Sequence, residues 1–503
     1  MAYDAIVIGA GHNGLVAANY LAKAGRRVLV LERRDIIGGQ LVTERLSDGF
    51  TVDTLHASAH LRPDIVKHLG LALAAPNARL PYTCLLDDGK RLQIDTDPLQ
   101  ARDAICAFSA RDAGRWSEFV AFMDRAAAFL DAAYRTPMPR LPHFAPLREG
   151  MPLAGLLWKL RRLGGRDMFR VVRAMSMSAE EFTGSWFESD ALRAAVSALA
   201  IHGFTLGPMS AGTGFTLMHN WLNRGGLAHQ PVAGGVGKVT AALAEALQAR
   251  GGEVRTSAEV QNVTVDRERA TGVRLANGEE IAAPLVLSAA DPRHTFLKLV
   301  GAAELPPEFV WQAQSIKLRG CVAKVHVETD GRHGLSEGTL AIAPSIKYLE
   351  RAYDAAKYGE VSQQPYLEVT TNGNFVSIHF QFAPYSLRNL DWNAARNVVE
   401  QRAIETLDAH CAGFKASVKR VQTITPRDLE TTYGLSEGDL NHGQLILDQI
   451  FFMRPLPGWS KHATPIDGLY LCGGGVHGGG GISGASGRNA AKIALTAKRV
   501  RWS

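Results

Sequence analysis

The first forty residues alternate between short apolar runs and a stretch with helical spacing. Residues 3–8 (YDAIVI) form an apolar run that predicts a buried strand, and residues 15–24 (LVAANYLAKA) predict a helix. Gly25 is a typical helix end, and residues 27–32 (RVLVLE) predict a second buried strand. Strand, helix and strand in this order predict the start of a doubly wound parallel sheet.

The same alternation returns in the middle and at the end of the chain. Residues 239–252 have the Ala/Leu spacing of a helix, and residues 284–290 (PLVLSAA) predict another buried strand. Between them, an Asn-Gly dipeptide at 277–278 predicts a hairpin within a small antiparallel meander. Near the carboxyl end, a strand at 468–472 enters a glycine-rich tract that leads into a helix at 485–500. These segments are expected to complete the parallel sheet.

The remaining sequence predicts a second, α+β unit. Alternating residues at 321–328 and a hairpin at 366–382 predict a half-buried antiparallel sheet, while residues 99–222 predict helices. Ser178 and Glu181 have the spacing of a capping box, although such a match also arises by chance.

Composition excludes several classes of protein. The chain has 503 residues, 46% of them hydrophobic and 21% charged, which excludes a disordered or collagen-like chain. No apolar run is long enough to span a membrane, no secretory signal is visible, and the five cysteines are scattered without a Cys-x-x-Cys pair. A net charge of +6 without a basic and aromatic groove argues against nucleic-acid binding. We therefore expect a cytoplasmic protein without a metal site.

The first predicted turn has the glycine pattern of a dinucleotide-binding site. Gly9 permits the tight turn, Gly11 permits close approach of a pyrophosphate, and Gly14 permits close packing of the helix on the strand. Glu32, at the end of the second strand, is placed to accept hydrogen bonds from ribose hydroxyls. The paired glycines Gly38-Gly39 then favour FAD over NAD, because they suit an extended segment that runs past the cofactor.

The carboxyl-terminal tract is the main source of excess glycine. Nine of the fifteen residues from Gly473 to Gly487 are glycine, and they stand between a predicted core strand and a helix. A flexible linker does not occupy such a place, so we expect backbone lying against a flat ring or a phosphate. The glycines at 234–237 follow no strand and are not a second fingerprint. A separate nicotinamide-binding domain is therefore not expected.

Six stretches together carry a resemblance to a known family. They are residues 5–39, 61–71, 234–254, 286–292, 451–459 and 468–491. The pattern resembles the phytoene-desaturase-type flavoproteins of the amine-oxidase-like FAD superfamily, and within them the branch of pyridine nucleotide-disulfide oxidoreductase domain-containing protein 2. The resemblance covers about a third of the chain and is specific for fold and cofactor, not for substrate.

The resemblance implies an α/β fold with a discontinuous, glutathione-reductase-like Rossmann-type FAD-binding domain and a second α+β substrate domain. The expected FAD-binding segments are 1–70, 232–300 and 440–503, and the expected substrate domain comprises 71–231 and 301–439. The cofactor-binding residues it implies are Gly9, Gly11, Asn13, Gly14, Glu32, Arg33, Gly38, Gly39, Gln40, Val260, Ala290, Gly474, Gly481, Ile482 and Ser483.

The implied chemistry is transfer of a hydride from a C–H bond of a lipophilic substrate to flavin N5. Oxygen, a quinone or another diffusing acceptor would reoxidise the flavin. Two alternatives stay open: a reduced-flavin isomerase or saturase, and a non-enzymatic flavin-bearing regulatory protein. His56, His60 and His477 are candidate catalytic residues, as general bases or as groups that orient the substrate, although each could merely pack in the core.

Residues 153–175 form an amphipathic, basic stretch. Leu153, Leu156, Leu157, Leu160 and Leu163 share one helical face, with lysine and arginine elsewhere. The stretch could lie on a membrane surface and admit a lipophilic substrate. It could equally be a helix buried against the second domain with a solvated basic face.

Overall fold

The computed structural model describes residues 3–47, 50–73, 78–87, 89–139, 146–228 and 230–497. Its strands, in chain order, are β1 Ala5–Ile8, β2 Val28–Leu31, β3 Thr43–Ser47, β4 Phe50–Asp53, β5 Tyr82–Leu85, β6 Arg91–Ile94, β7 Glu253–Arg255, β8 Val260–Asp266, β9 Arg269–Leu275, β10 Glu280–Ala282, β11 Val286–Ser288, β12 Val322–Thr329, β13 Thr339–Ile342, β14 Leu367–Asn372, β15 Phe375–Gln381, β16 Val418–Ile424 and β17 Leu469–Leu471.

The α-helices are α1 His12–Lys23, α2 Pro63–Leu69, α3 Pro98–Cys106, α4 Ala110–Arg135, α5 Pro146–Arg162, α6 Gly165–Ala174, α7 Ala179–Gly184, α8 Asp190–Ile201, α9 Thr213–Arg224, α10 Gly237–Gln248, α11 Pro292–His294, α12 Pro307–Gln314, α13 Ile346–Lys357, α14 Trp392–His410, α15 Phe414–Ser417, α16 Pro426–Thr431 and α17 Ala485–Thr496. Residues 498–500, the predicted end of the last helix, lie outside the described residues.

Five strands form a parallel sheet in the order β17-β11-β1-β2-β7. Side chains alternate between its two faces, so Ala5 and Val7 pack under α1 and α10 while Ile6 and Ile8 pack against the meander β8–β10. The doubly wound sheet and its meander, predicted from the sequence, are confirmed.

A second sheet has seven strands in the order β16-β12-β15-β14-β13-β5-β6. Its pairs are antiparallel apart from the parallel pair β13–β5. The hairpin at 366–382 and the strand at 321–328 are confirmed as β14–β15 and β12. The capping box is also confirmed, because the Ser178 hydroxyl accepts from the Glu181 N–H and the Glu181 carboxylate accepts from the Ser178 N–H.

Each sheet is built from one of the two predicted sets of segments. The parallel sheet contains β1, β2, β7, β11 and β17, and the seven-stranded sheet contains β5, β6 and β12–β16. The domain boundaries themselves stay a prediction. Helices α4, α8 and α9 pack together around aromatic residues such as Phe119 and Phe215, in the same hydrophobic cluster as the seven-stranded sheet. The carboxyl ends of β1, β2 and β11 open toward this second unit, and the site described next lies there.

Candidate active site

A cleft of about 300 Å³ runs along the carboxyl ends of the parallel strands. We call it the long cleft. Most of the residues predicted to bind the cofactor line it, although their separations in sequence reach several hundred positions. They are Gly9, Gly11, Asn13, Gly14, Glu32, Arg33, Gly39, Gln40, Val260, Ala290, Gly474 and Gly481.

Three further predicted residues lie beside these walls. Gly38 pairs with Gly11 in an isolated bridge and donates its N–H to the Ala10 carbonyl. Ile482 lines an adjoining cavity, and the Ser483 carbonyl accepts the N–H of Arg62. The structure therefore brings the predicted set together, while the role of each residue stays a prediction.

In the turn between β1 and α1, the backbone at Gly14 lies so close to the Gly9 carbonyl that position 14 accommodates only glycine. A Cβ at Gly14 would lie 2.1 Å from the Gly9 carbonyl oxygen. Glu32 fixes the same turn, because its carboxylate accepts the N–H groups of Ala10 at 2.8 Å and Arg34 at 3.1 Å. A carboxylate has about four lone-pair sites, so it keeps acceptor capacity for a ligand hydroxyl.

Buried polar atoms in the long cleft lack partners within the described chain. These are His12 Nε2, Asn13 Oδ1 and His442 Nδ1. Burial lowers the pKa of His12 to about 4, so this imidazole is neutral at pH 7. Unsatisfied buried polar atoms are costly, and a polar ligand that fills the cleft would satisfy them. An elongated dinucleotide, with its phosphates at the start of α1, fits this lining.

A smaller cavity of about 100 Å³ adjoins the long cleft, and the two share Gln40, Leu440 and Gly481 in their walls. We call it the histidine cavity. Four histidines line it: His56, His202, His326 and His379. In the described part of the chain, no group of three or more His, Cys, Asp or Glu side chains is placed to hold a metal ion.

The floor of the histidine cavity is one face of the seven-stranded sheet. Cross-strand register places Lys324, His379 and Glu368 in one row across β12, β15 and β14, and His326, Ser377 and Thr370 in the next row. All six side chains line the cavity. The sequence analysis missed them. The signal was polar residues at alternate positions of strands whose intervening residues are apolar.

Two cations and two carboxylates lie in the cavity wall. Arg224 donates two hydrogen bonds to the Glu368 carboxylate, at 3.0 and 2.8 Å, so these two charges neutralise each other. Asp53 accepts from the Thr43 hydroxyl and the Val236 N–H, and burial raises its pKa. Within the described residues the Lys324 ammonium makes neither a hydrogen bond nor an ion pair, and burial lowers its pKa to about 8.

The hydrogen-bond partners of His56 fix its tautomer. The Gln40 amide nitrogen donates to the Leu440 carbonyl, so the Gln40 Oε1 atom is the acceptor that faces His56 Nε2 at 2.9 Å. His56 therefore carries its hydrogen on Nε2 and has a lone pair on Nδ1. Burial lowers the pKa of His56 to about 3, so it is neutral. Gln381 imposes the same tautomer on His379.

The other two candidate histidines lie elsewhere. His60 is half-buried beyond Ser58, outside the walls of both cavities, and burial lowers its pKa. His477 is buried behind α4, where its Nε2 atom donates toward the carbonyls of Ala133 and Thr136. Neither wall includes it. Of the three predicted catalytic residues, the structure brings only His56 to the cavity, and all three roles stay predictions.

The basic stretch at 153–175 is two helices, α5 and α6, separated at Gly164 with φ +85°. Leu160 and Leu163 pack against the core of the second unit, whereas Leu157 is 64% exposed, so the leucine face is buried only in part. Other large apolar side chains of this surface are also exposed, and they are Met151, Trp158, Phe169 and Val172. No helix in the described residues is both long and apolar enough to cross a bilayer.

Comparison with known proteins places the chain in a family. The model of the flavin-containing amine oxidoreductases matches residues 14–380. The chain belongs to this family. It is 34% identical to pyridine nucleotide-disulfide oxidoreductase domain-containing protein 2 of Rattus norvegicus, over 98% of this chain and 93% of the relative. It is 25% identical to a neurosporene-forming phytoene desaturase of Cereibacter sphaeroides, over 99% and 95% of the two chains.

A solved structure supports the fold independently. An oxidoreductase from Methanosarcina mazei superposes with a TM-score of 0.61 at 15% identity, covering 98% of this chain and 99% of the other. These comparisons confirm three expectations from the sequence: the family resemblance, the Rossmann-type fold and FAD as the cofactor. The protein is an FAD-dependent oxidoreductase that acts on a small molecule and passes electrons to an acceptor.

Proposed function

We propose that this protein oxidises a C–H bond of a small molecule held in the histidine cavity, with FAD bound in the long cleft. The proposal rests on the wall that the two sites share, because Gln40, Leu440 and Gly481 border both the long cleft and the histidine cavity. A ligand at that end of the cleft would therefore meet a molecule in the cavity directly.

The residues that hold FAD in this proposal are those implied by the family resemblance. Gly11 and Gly14 would present the start of α1 to the pyrophosphate, Glu32 would accept from the ribose, and Val260 would meet the adenine through its backbone. Gly474, Gly481, Ile482 and Ser483 would lie beside the pyrophosphate, the ribityl chain and the ring edge. When bound, FAD supplies a two-electron acceptor for a hydride.

The chain's own contribution is alignment and proton transfer. Because Gln40 holds the Nε2 hydrogen of His56, the Nδ1 lone pair can accept a proton from a substrate hydroxyl or amine. Correct placement of the reacting C–H bond is a large part of such catalysis.

The lining of the cavity supports a polar substrate over the lipophilic one expected from the sequence. Its floor contains polar and charged side chains, among them Lys324, His326, Glu368 and Ser377. Burying an apolar chain against these side chains would remove them from water without replacing their hydrogen bonds. A lipophilic substrate stays a prediction that this geometry does not favour.

Anaerobic reduction of the flavin tests the proposal. The purified holoprotein is mixed without oxygen with hydroxy acids, amines, lipids and polyenes, and its flavin absorbance is followed. Bleaching by one class supports a dehydrogenase or oxidase, and reoxidation by oxygen or by a quinone then identifies the acceptor. If no compound bleaches the flavin but turnover appears after chemical reduction, the isomerase or saturase alternative replaces the proposal.

The surface of α5 and α6 supports peripheral contact with a membrane. Trp158 and Phe169 are 58% and 65% exposed, and Lys159, Arg161 and Arg162 lie in the last turn of α5. Exposed aromatic residues beside basic ones are typical of helices that lie in the interface of an anionic bilayer. A cytoplasmic location stays a prediction.

A further inference from the structure

The charges around the histidine cavity leave one cation without a counter-ion. Arg224 and Glu368 form a bidentate pair, and Asp53 is held by Thr43 and Val236. Lys324 makes no ion pair among the described residues, although Glu368 and Arg224 both influence it electrostatically. The Lys324 side chain is half-buried and lines the cavity, so an anion in the cavity is the ligand that would pair with its ammonium group.

Unpartnered nitrogen atoms specify a second feature of the ligand. His379 is 4% exposed, and its Nδ1 atom has no hydrogen-bond partner in the described chain. Gln381 Oε1 accepts its Nε2 hydrogen, so Nδ1 presents a lone pair. The Nδ1 atom of His56 presents another for the same reason. Each can accept one hydrogen bond, and a ligand hydroxyl would supply the donor for one of them.

The size of the cavity limits the ligand. Its volume is about 100 Å³. An apolar cavity of about 150 Å³ in another protein holds the six carbon atoms of benzene, so roughly four non-hydrogen atoms fit here on that scale. A ligand of five or six such atoms would reach past the shared wall into the long cleft.

We infer that the histidine cavity binds a small 2-hydroxy carboxylate, with the Lys324 ammonium pairing the carboxylate and the Nδ1 atom of His56 accepting the hydroxyl hydrogen. That this 2-hydroxy carboxylate is also the substrate rests on the proposed function. Oxidation breaks one C–H and one O–H bond and forms the C=O bond of a 2-keto acid. The hydride, with both electrons, goes to the flavin as oxidant, and the hydroxyl proton goes to His56 Nδ1.

Calorimetric titration with L-lactate and with neutral L-lactamide tests the site without hydride transfer when the flavin of the holoprotein has first been chemically reduced. Under anaerobic conditions lactate is expected to bind at least tenfold more tightly than lactamide. Lys324→Met is expected to weaken lactate binding at least tenfold and to leave lactamide binding unchanged. Lys347→Met removes a charge from the exposed side of α13 and serves as the matched control, with no effect expected.

The pH profile of the unmodified protein provides a second test that needs no variant. The pKa of Lys324 is about 8, so lactate affinity should fall toward about tenfold per pH unit above that value. The other ionisable groups facing the cavity are His56, His202, His326, His379, Arg224, Glu368 and Asp53. Burial lowers the pKa of each of these four histidines below 6.5, so they stay neutral across this range.

Equal affinity for lactate and lactamide, or a flat profile from about pH 7 to about pH 9.5, would overturn the inference. The experiments test the proposed function independently of the anion site. If lactate binds with this profile but no compound reduces the flavin, the anion site stands and the oxidation is rejected. If an amine or a lipid bleaches the flavin while lactate does not bind, the oxidation stands and the anion site is rejected.

Discussion

Replacement of Gly11 by aspartate tests the long cleft without disturbing the fold. Gly11 has φ −73° and ψ 171°, which any residue adopts, and a Cβ there meets no atom closer than 3.9 Å. The residue nevertheless lines the cleft. A side chain at this position therefore enters the ligand space while the turn itself is retained.

The expected loss follows from electrostatics. An aspartate carboxylate about 4–6 Å from a phosphate charge, at an effective dielectric constant of about 20, costs about 3–4 kcal/mol. That is a loss of roughly 10²- to 10³-fold in FAD affinity. Gly11→Asn is the matched control, because it has nearly the same shape and no charge, so only the steric part of the loss should remain.

The assay is titration of apoprotein with FAD, followed by flavin fluorescence, together with the melting temperature of each apoprotein. We expect both variants to melt within a few degrees of the parent and to differ from each other in FAD affinity by about two orders of magnitude. Equal FAD affinity of the aspartate and asparagine variants would refute the placement of the pyrophosphate beside Gly11.

Three other predictions concern the cavity and the surface. Glu368→Gln leaves Arg224 buried without its counter-ion, so it should reduce the free energy of unfolding by about 3–5 kcal/mol. Urea denaturation measures this change, and the control Glu304→Gln, at an exposed site, should leave the free energy of unfolding unchanged. His56→Gln should slow anaerobic flavin reduction by about 10²- to 10⁴-fold in stopped-flow experiments; an unchanged rate would exclude it as the base. Trp158→Asp should weaken sedimentation with anionic vesicles at least about tenfold, and a parent protein that never sediments would contradict the membrane contact.

Local patterns were sufficient for several elements of the fold. The apolar run before Gly9, the Asn-Gly turn at 277–278 and the alternation at 321–328 each depend on neighbours within a few residues. The same reasoning did not find the break between α5 and α6, although Gly164 and Gly165 stand together in the sequence. Adjacent glycines end a helix because one can adopt a positive φ at little cost.

The histidine cavity depends on long-range register instead. Lys324, Glu368 and His379 meet because β12, β15 and β14 are neighbours, and no local pattern specifies that order. Spacing along the chain likewise gave no way to separate His56, which lines the cavity, from His477, which bonds to the end of α4. The glycines of the first turn and Glu32 could be predicted to share one cleft because their motif carries its own geometry, while their roles toward the cofactor stay predictions.

The most direct test of the central claim is the absorbance spectrum of the purified protein, with quantification of the released cofactor. The account predicts flavin bands, about one FAD per chain, and loss of those bands in Gly11→Asp. A protein that shows no flavin bands even after incubation with added FAD would contradict it.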